Sequence, residues 1–189
     1  MSPNRSPAQP TGQPPVAIVV SRYHGAITNA LLDGARRLYL DEGGREEDLG
    51  VIDAPGSYEL TAIALAAAQS GMFKGVVAIG CVVKGETDHD RYINEAVAHG
   101  LTAITLGTGI PCAFGLLTVD APEQAEARAG GEHGNKGTEA MGALLDTLRS
   151  IDAIGKAVES GKGPSALPRT IGRIIAKPGT IGGAGSEQA

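Results

Sequence analysis

The sequence predicts an α/β fold in which a mostly parallel sheet carries helices on both faces. The first observation is a set of four short, continuous apolar runs, which are typical of strands covered on both sides. These runs lie at residues 16–20, 51–54, 75–83 and 111–119. The second observation is that a helical segment follows each run. Strict alternation of this kind calls for parallel strands joined by right-handed crossovers.

Three helices are predicted from apolar composition, spacing and end signals. A single stripe with helical spacing predicts the first helix, and it consists of Ile27, Ala30, Leu31, Gly34, Ala35 and Leu38. An Ala-rich helix is predicted from Ser57 to about Gln69, where Gly71 stops it. A third helix is predicted from about Asp88 to about Leu106.

The last two helices follow the fourth strand. Pro122 opens a short helix that ends near Arg128, and the segment 129–134 after it is Gly-rich. Asn135 has the side chain of a helix N-cap. It predicts the start of an amphipathic helix that runs to about Ile151.

The chain is predicted to hold one domain between two tails. Residues 1–15 contain five prolines and no apolar periodicity, so we expect a disordered N-terminal arm. The domain is predicted at 16–151. Residues 152–189 are rich in Gly and Pro and mildly basic, which predicts a largely flexible C-terminal tail, with one frayed helix before Gly161 as the alternative.

Composition narrows the possible functions. The net charge of −5 gives no general reason to bind nucleic acid or an anionic membrane. Aromatic residues make up only 3%, which argues against a single-strand nucleic-acid platform. No apolar run approaches the roughly 18–20 residues of a membrane span, and the N-terminus lacks the apolar core of a signal peptide. We therefore expect a cytoplasmic protein with neither nucleic-acid nor membrane partners. Cys81 and Cys112 lie in apolar runs, so core thiols are favoured over a disulfide or metal site.

Ligands of parallel sheets bind beyond the carboxyl ends of the strands. The loops predicted there lie at 21–25, 55–59, 84–89 and 120–122. The third of them leads into a helix that carries His89 in its first turn. Free backbone N–H groups at such a helix start can hold an anion, and a histidine can move protons near neutral pH. We interpret this stretch as a catalytic edge, against the alternative of a surface histidine.

Five other side chains each allow two interpretations. Glu59 is either an exposed first-turn glutamate favoured by the helix dipole or an acceptor for sugar hydroxyls. Arg128 is favoured electrostatically at a helix end, and beside a Gly-rich loop it is also suited to bidentate phosphate binding. Lys84 and Lys136 are either solvated charges or cations of the site. Tyr23 is either a packing side chain without a role in binding or a ring on which a heterocycle stacks.

Six stretches carry a resemblance to a known family through their order and spacing. They are VVSRYHGAIT (19–28), PGSYEL (55–60), GCVVKGETDHDRYI (80–93), PCAFGLLTV (111–119), EQAEARAG (123–130) and GNKGTEA (134–140). With them the chain resembles the lumazine synthase family of riboflavin biosynthesis. The combination of GxVxKGETxH with RAG and GNKG is the specific part. The chain departs from the family at Tyr23, where Phe or Trp is usual, and at His24, where Asn is usual. The resemblance implies a flavodoxin-like three-layer αβα sandwich with a four-stranded parallel sheet.

The resemblance also implies a role for individual residues. His89 would transfer protons, and Arg128 would bind the substrate phosphate from the adjacent subunit. The remaining positions would bind substrate. Tyr23 would stack on the pyrimidine, and Val82 and Val83, which follow Cys81 of the same set, would present backbone to the pyrimidine edge. The ribityl chain would be lined by Ser57, Tyr58 and Glu59. The phosphate-binding turn would consist of Gly85, Glu86 and Thr87, and the neighbouring chain would close the pocket with Phe114, near which Lys136 lies.

The implied reaction joins 5-amino-6-(D-ribitylamino)uracil to 3,4-dihydroxy-2-butanone 4-phosphate. It requires neither a metal nor a cofactor. The family implies a homopentamer with sites shared between neighbours, and the short segment before Asn135 resembles that of members forming 60-subunit icosahedral shells. Riboflavin synthase is an expected partner. Two alternatives remain: a flavin-pathway carrier or shell protein on this scaffold, and an unrelated phosphate-binding α/β domain.

Overall fold

The computed structural model describes residues 12–167 of the 189-residue chain. The predictions of a disordered arm and a flexible tail therefore fall largely outside the described residues. Four parallel strands form one sheet in the order β2-β1-β3-β4. They are β1 (Val16–Ser21), β2 (Leu49–Ala54), β3 (Gly75–Val83) and β4 (Cys112–Val119). The predicted α/β class with a four-stranded parallel sheet is confirmed.

Five α-helices within residues 12–167 complete the domain. They are α1 (Gly25–Asp41), α2 (Leu60–Gln69), α3 (His89–Thr108), α4 (Pro122–Arg128) and α5 (Lys136–Glu159). Single 3-10 turns lie at Glu46–Asp48, before β2, and at Pro164–Ala166, after α5. No helix within residues 12–167 combines the length and the apolar character that a membrane span requires.

The sheet separates two apolar clusters, and strand alternation decides which side chain joins each one. Val16, Ile18 and Val20 of β1 pack in the cluster with α1, α4 and α5. Ala17 and Val19 pack on the opposite face with α2 and α3. All six residues of β1 are buried, and burying a Val or Ile side chain stabilises a fold by about 1.5–3 kcal/mol. The three layers therefore follow directly from continuous apolar strands.

The register of the sheet brings the strand ends to one edge. Ser21 pairs with Ala54, and Val83 pairs with Val119. Because every pairing is parallel, the loops after all four strands lie at this edge. The prediction that these four loops lie beyond the carboxyl ends of the strands is confirmed.

The structure differs from the predictions in α2, in the Gly-rich segment and at the end of α5. Helix α2 begins at Leu60 rather than Ser57, because residues 57–59 form a turn in which the Leu60 amide donates to the Ser57 carbonyl at 3.4 Å. The Gly-rich segment holds a small antiparallel hairpin of β5 (Ala129–Gly131) and β6 (Gly134–Asn135). Helix α5 continues beyond Ile151 to Glu159, and an ion pair of 2.7 Å between Asp152 and Lys156 supports the added turns.

The last residues before β1 are tied to the domain by three hydrogen bonds. The Gln13 side chain donates to the Glu42 carbonyl at 2.8 Å, and the Tyr39 hydroxyl donates to the Pro14 carbonyl at 3.0 Å. The Lys74 amide donates to the Pro15 carbonyl at 2.8 Å. These bonds fix where the chain enters the sheet.

Candidate active site

The loop between β1 and α1 presents an exposed aromatic ring. The Arg22 amide donates to the Ala54 carbonyl at 2.9 Å, which holds this loop against the end of β2. Tyr23 is 69% exposed, and its ring meets that of His24 edge-on at 6.4 Å between centroids. Within the described chain, His24 is the only residue other than glycine with a positive φ, 54°. The left-handed conformation also suits Asn, the residue that the resemblance leads us to expect at this position.

Gly56 brings Glu59 and Tyr23 together. A Cβ on Gly56 would lie 2.8 Å from Glu59 Oε2 and 3.7 Å from Tyr23 Cδ2. The missing side chain therefore leaves space for a carboxylate and a ring to approach the same backbone position. Glu59 and Tyr58 are both exposed beside it.

Ser57 is the buried polar group of this edge. It is 7% exposed, and its hydroxyl has no hydrogen-bond partner among the described residues. A Cβ on Gly80 of β3 would lie 2.8 Å from Ser57 Oγ. Gly80 thus gives the hydroxyl room, and a buried hydroxyl without a partner is costly unless something else satisfies it.

The turn after β3 completes the sheet-edge group, which we define as Tyr23, Ser57, Tyr58, Glu59, the backbone of 81–83, and residues 85–89. The Lys84 amide donates to the Val119 carbonyl at 2.8 Å and fixes the start of the turn. Gly85, Glu86 and Thr87 are exposed, and His89 is the exposed first residue of α3. The first amides of a helix lack helical partners and favour an anion, so this turn can bind one.

Both cysteines are free thiols, as predicted. Cys81 is buried and its side chain packs in the cluster with α1 and α5. Burial raises its pKa and that of Cys112, which is half-buried. Both thiols are therefore held in the protonated form, and Cys81 can serve the site only through its backbone.

A second group of predicted residues lies along the outer edge of β4. Arg128 ends α4 and donates through Nη1 to the Gln124 carbonyl at 3.0 Å. Lys136 pairs with Glu139 at 2.8 Å. These side chains line a hollow of about 310 Å³, the Arg128 hollow, formed by Leu116, Leu117, Thr118, Arg128, His133, Lys136 and Glu139.

Phe114 also lies at this edge. It is 40% exposed, and with Leu106 it lines an apolar groove of about 390 Å³ between α3 and β4. His89 lines neither this groove nor the Arg128 hollow. The chain thus divides the predicted site residues into a sheet-edge group and a β4-edge group.

Comparison with known proteins shows the family of the chain. A sequence model of the 6,7-dimethyl-8-ribityllumazine synthase family matches residues 13–152. The chain belongs to this family. Lumazine synthases of Xanthomonas oryzae pv. oryzae (strain PXO99A) and Deinococcus deserti are 40% and 41% identical to it over 138 residues. These matches cover 73% of the chain and 90% and 88% of the two relatives. The synthase of Campylobacter lari is 38% identical over 143 residues, which are 76% of the chain and 92% of that relative.

Sequence reasoning on this lumazine synthase family member missed two kinds of residue. Gly56 and Gly80 act through the side chains that they lack, and only the three-dimensional neighbours reveal this. His133 lines the Arg128 hollow but was not singled out. Its position in a Gly-rich turn five residues after Arg128 was the available signal.

Proposed function

We propose that this chain condenses 5-amino-6-(D-ribitylamino)uracil with 3,4-dihydroxy-2-butanone 4-phosphate and forms 6,7-dimethyl-8-ribityllumazine, with release of phosphate and water. Membership of the synthase family supports the reaction. The observation that carries the proposal is that the chain has both His89 and Arg128, while His89 is not among the residues that line the Arg128 hollow. A site that needs both groups is completed when the β4 edge of one protomer meets the sheet edge of a neighbour.

The sheet-edge group would bind the uracil. Tyr23 offers a ring face for stacking, and the exposed carboxylate of Glu59 accepts hydrogen bonds from ribityl hydroxyls. The backbone of Val82 and Val83 faces the pyrimidine edge, and Ser57 and Tyr58 complete the ribityl side. Holding two small molecules in alignment supplies much of the rate enhancement of such a condensation.

The phosphorylated ketone would lie between the two protomers. The turn of Gly85, Glu86 and Thr87 offers backbone amides to its phosphate, and the neighbour's Arg128 supplies the charge. His89, at the same helix start, moves protons as the amine attacks the ketone, water leaves and phosphate is eliminated. The neighbour's Phe114 and Lys136 close the pocket.

The proposed assembly is a homopentamer, with a 60-subunit shell as the higher form. Leu106 is 82% exposed beside Phe114, and β4 is an edge strand of the sheet. Exposed apolar grooves and open strand edges favour contact with another chain. Light scattering of the purified protein distinguishes one, five and sixty chains, and a monomeric enzyme with full activity would refute the shared site.

Mixed assemblies give the sharpest test of the function. Alone, His89→Ala and Arg128→Gln should each lower the rate of lumazine formation, measured by product fluorescence, by about 10- to 100-fold, because proximity survives in both. Co-expressed in equal amounts, they should regain about a quarter of wild-type activity, since each site takes one residue from each of two neighbours at random.

No recovery in co-assembled chains would place both residues in one protomer. If the wild type forms no product above the uncatalysed rate, the carrier or shell interpretation replaces the enzyme.

The same proposal includes a cytoplasmic location, the absence of nucleic-acid and membrane partners, and contact with riboflavin synthase. Co-purification from cell extract tests the contact with riboflavin synthase.

A further inference from the structure

The hairpin after α4 holds a histidine beside Arg128. Gly131 of β5 pairs with Gly134 of β6, which leaves Glu132 and His133 at the tip. Gly134 has a φ of 80°, a conformation that favours glycine. The His133 amide donates to the Ala127 carbonyl at 2.8 Å and so fastens the tip to the last turn of α4.

His133 therefore lines the Arg128 hollow together with Arg128 and Lys136. The only carboxylate among the lining residues is Glu139, which pairs with Lys136 at 2.8 Å. The lining side chains carry one net positive charge while His133 is neutral, and two when it is protonated. A hollow with this charge selects an anion.

The charged groups around His133 come from three elements. Glu132 of the same hairpin lies 3.5 Å from His133 Nε2. Arg128 faces the hollow from α4, and Lys136 and Glu139 face it from α5. The contribution of β4 is Leu116, Leu117 and Thr118, none of which titrates.

We propose that His133 is a third anion-binding side chain of the Arg128 hollow, and that its protonation tightens the hold on a phosphate group. This inference rests on the proposed function, in which Arg128 binds the phosphate of the butanone substrate. Histidine changes its charge between about pH 5 and pH 8, so substrate capture and phosphate release both become sensitive to pH. The His133 side chain is 54% exposed, and exposed ion pairs contribute at most about 1 kcal/mol, so the effect is about two- to fivefold.

Sulfate is the probe for this test, because its charge does not change over the range in which histidine titrates. Inhibition of the assembled enzyme by sulfate is measured at about pH 6 and about pH 8. The wild type should bind sulfate about two- to fivefold more tightly at the lower pH. His133→Gln should reduce this difference to the part that His89 contributes at the same phosphate site. It should also raise the KM for the phosphorylated substrate at the lower pH, with kcat unchanged.

His99→Gln is the matched control, because His99 is an exposed histidine of α3 that does not line the hollow. It should behave as the wild type. Arg128→Gln should abolish sulfate inhibition at both pH values. A His133→Gln enzyme that keeps the full pH difference, or that loses affinity equally at both pH values, overturns the role of protonation. Sulfate inhibition that survives Arg128→Gln overturns the phosphate assignment itself, and a wild type without synthase activity overturns the proposed function separately.

Discussion

Asn135 lies against Gly34 and joins α5 to α1. Its Nδ2 donates to the Ala30 carbonyl at 2.8 Å, and its Oδ1 accepts from the Thr138 amide at 3.1 Å. A Cβ on Gly34 would overlap the Asn135 amide. One side chain therefore caps α5 and bonds α1 at once, and it fixes Lys136 and the hairpin beside the Arg128 hollow.

Gly34→Ala should destabilise the protein even though Ala is the better helix former. Helix propensity favours Ala by about 1 kcal/mol, but the new methyl group must displace the Asn135 amide and break both of its hydrogen bonds. We expect a net loss of about 2–3 kcal/mol in the free energy of unfolding. Urea unfolding at one fixed protein concentration measures it.

Gly155→Ala is the matched control. Gly155 also lies inside a helix, but a Cβ there meets no atom within 4 Å. The same substitution should stabilise α5 by about 0.5–1 kcal/mol. If both variants shift the urea midpoint in the same direction, the packing of Gly34 against Asn135 does not determine how the Gly34 substitution changes the stability of the protein.

Ser57→Ala should separate stability from substrate binding. The hydroxyl of Ser57 is buried without a partner among the described residues, so its removal should leave stability unchanged or raise it by up to about 1 kcal/mol. If the hydroxyl serves the ribityl chain, the KM for the uracil substrate should rise about 5- to 10-fold. Thermal melting and steady-state kinetics measure the two effects. An unchanged KM would remove Ser57 from the site.

The core of the fold could be predicted because its signals are local. Continuous apolar runs such as Val16–Val20 predict buried parallel strands, and the Asn135 cap marks a helix start. The sequence leaves the stretch after Ile151 open between a flexible tail and a helix before Gly161, because the last turns of α5 are exposed and charged and Gly155 resembles a tail residue in composition. The hairpin of β5 and β6 could not be predicted either, because a Gly-rich segment with a two-residue tip shows no apolar pattern in its sequence.

Part of the site could also be predicted from the order of strands and helices. His89, Glu59 and Tyr23 end up at one sheet edge because parallel topology forces strand ends together. The resemblance to a family suggested Arg128, but no local pattern shows that it lies at a different edge from His89. That separation depends on how α4 folds back over β4.

Truncation tests the proposed domain boundary. Of the residues 162–189, the structure describes 162–167, and none of these belongs to either apolar cluster of the sheet. We expect that a chain without 162–189 unfolds like the full chain and keeps its synthase activity. Deletion of 152–189 also removes the last turns of α5, whose residues are mostly exposed, and should cost less than about 1 kcal/mol. A tenfold loss of activity in the shorter deletion would assign the tail a role in the enzyme.

Tyr39→Phe should change how stability depends on pH. The Tyr39 ring is fully buried, and burial, reinforced by the charge of Asp48, raises the pKa of its hydroxyl from 10.0 to about 12. The folded state holds the Tyr39 proton more tightly than the unfolded state does. The contribution of Tyr39 to the free energy of unfolding is therefore fully present below about pH 10 and is lost as the pH rises towards 12, a decrease of about 2–3 kcal/mol. The variant lacks the bond to the Pro14 carbonyl, so it should be about 1 kcal/mol less stable at neutral pH and should lose less on alkaline titration. Urea midpoints of both proteins at increasing pH measure this, and curves that stay parallel beyond pH 10 would contradict it.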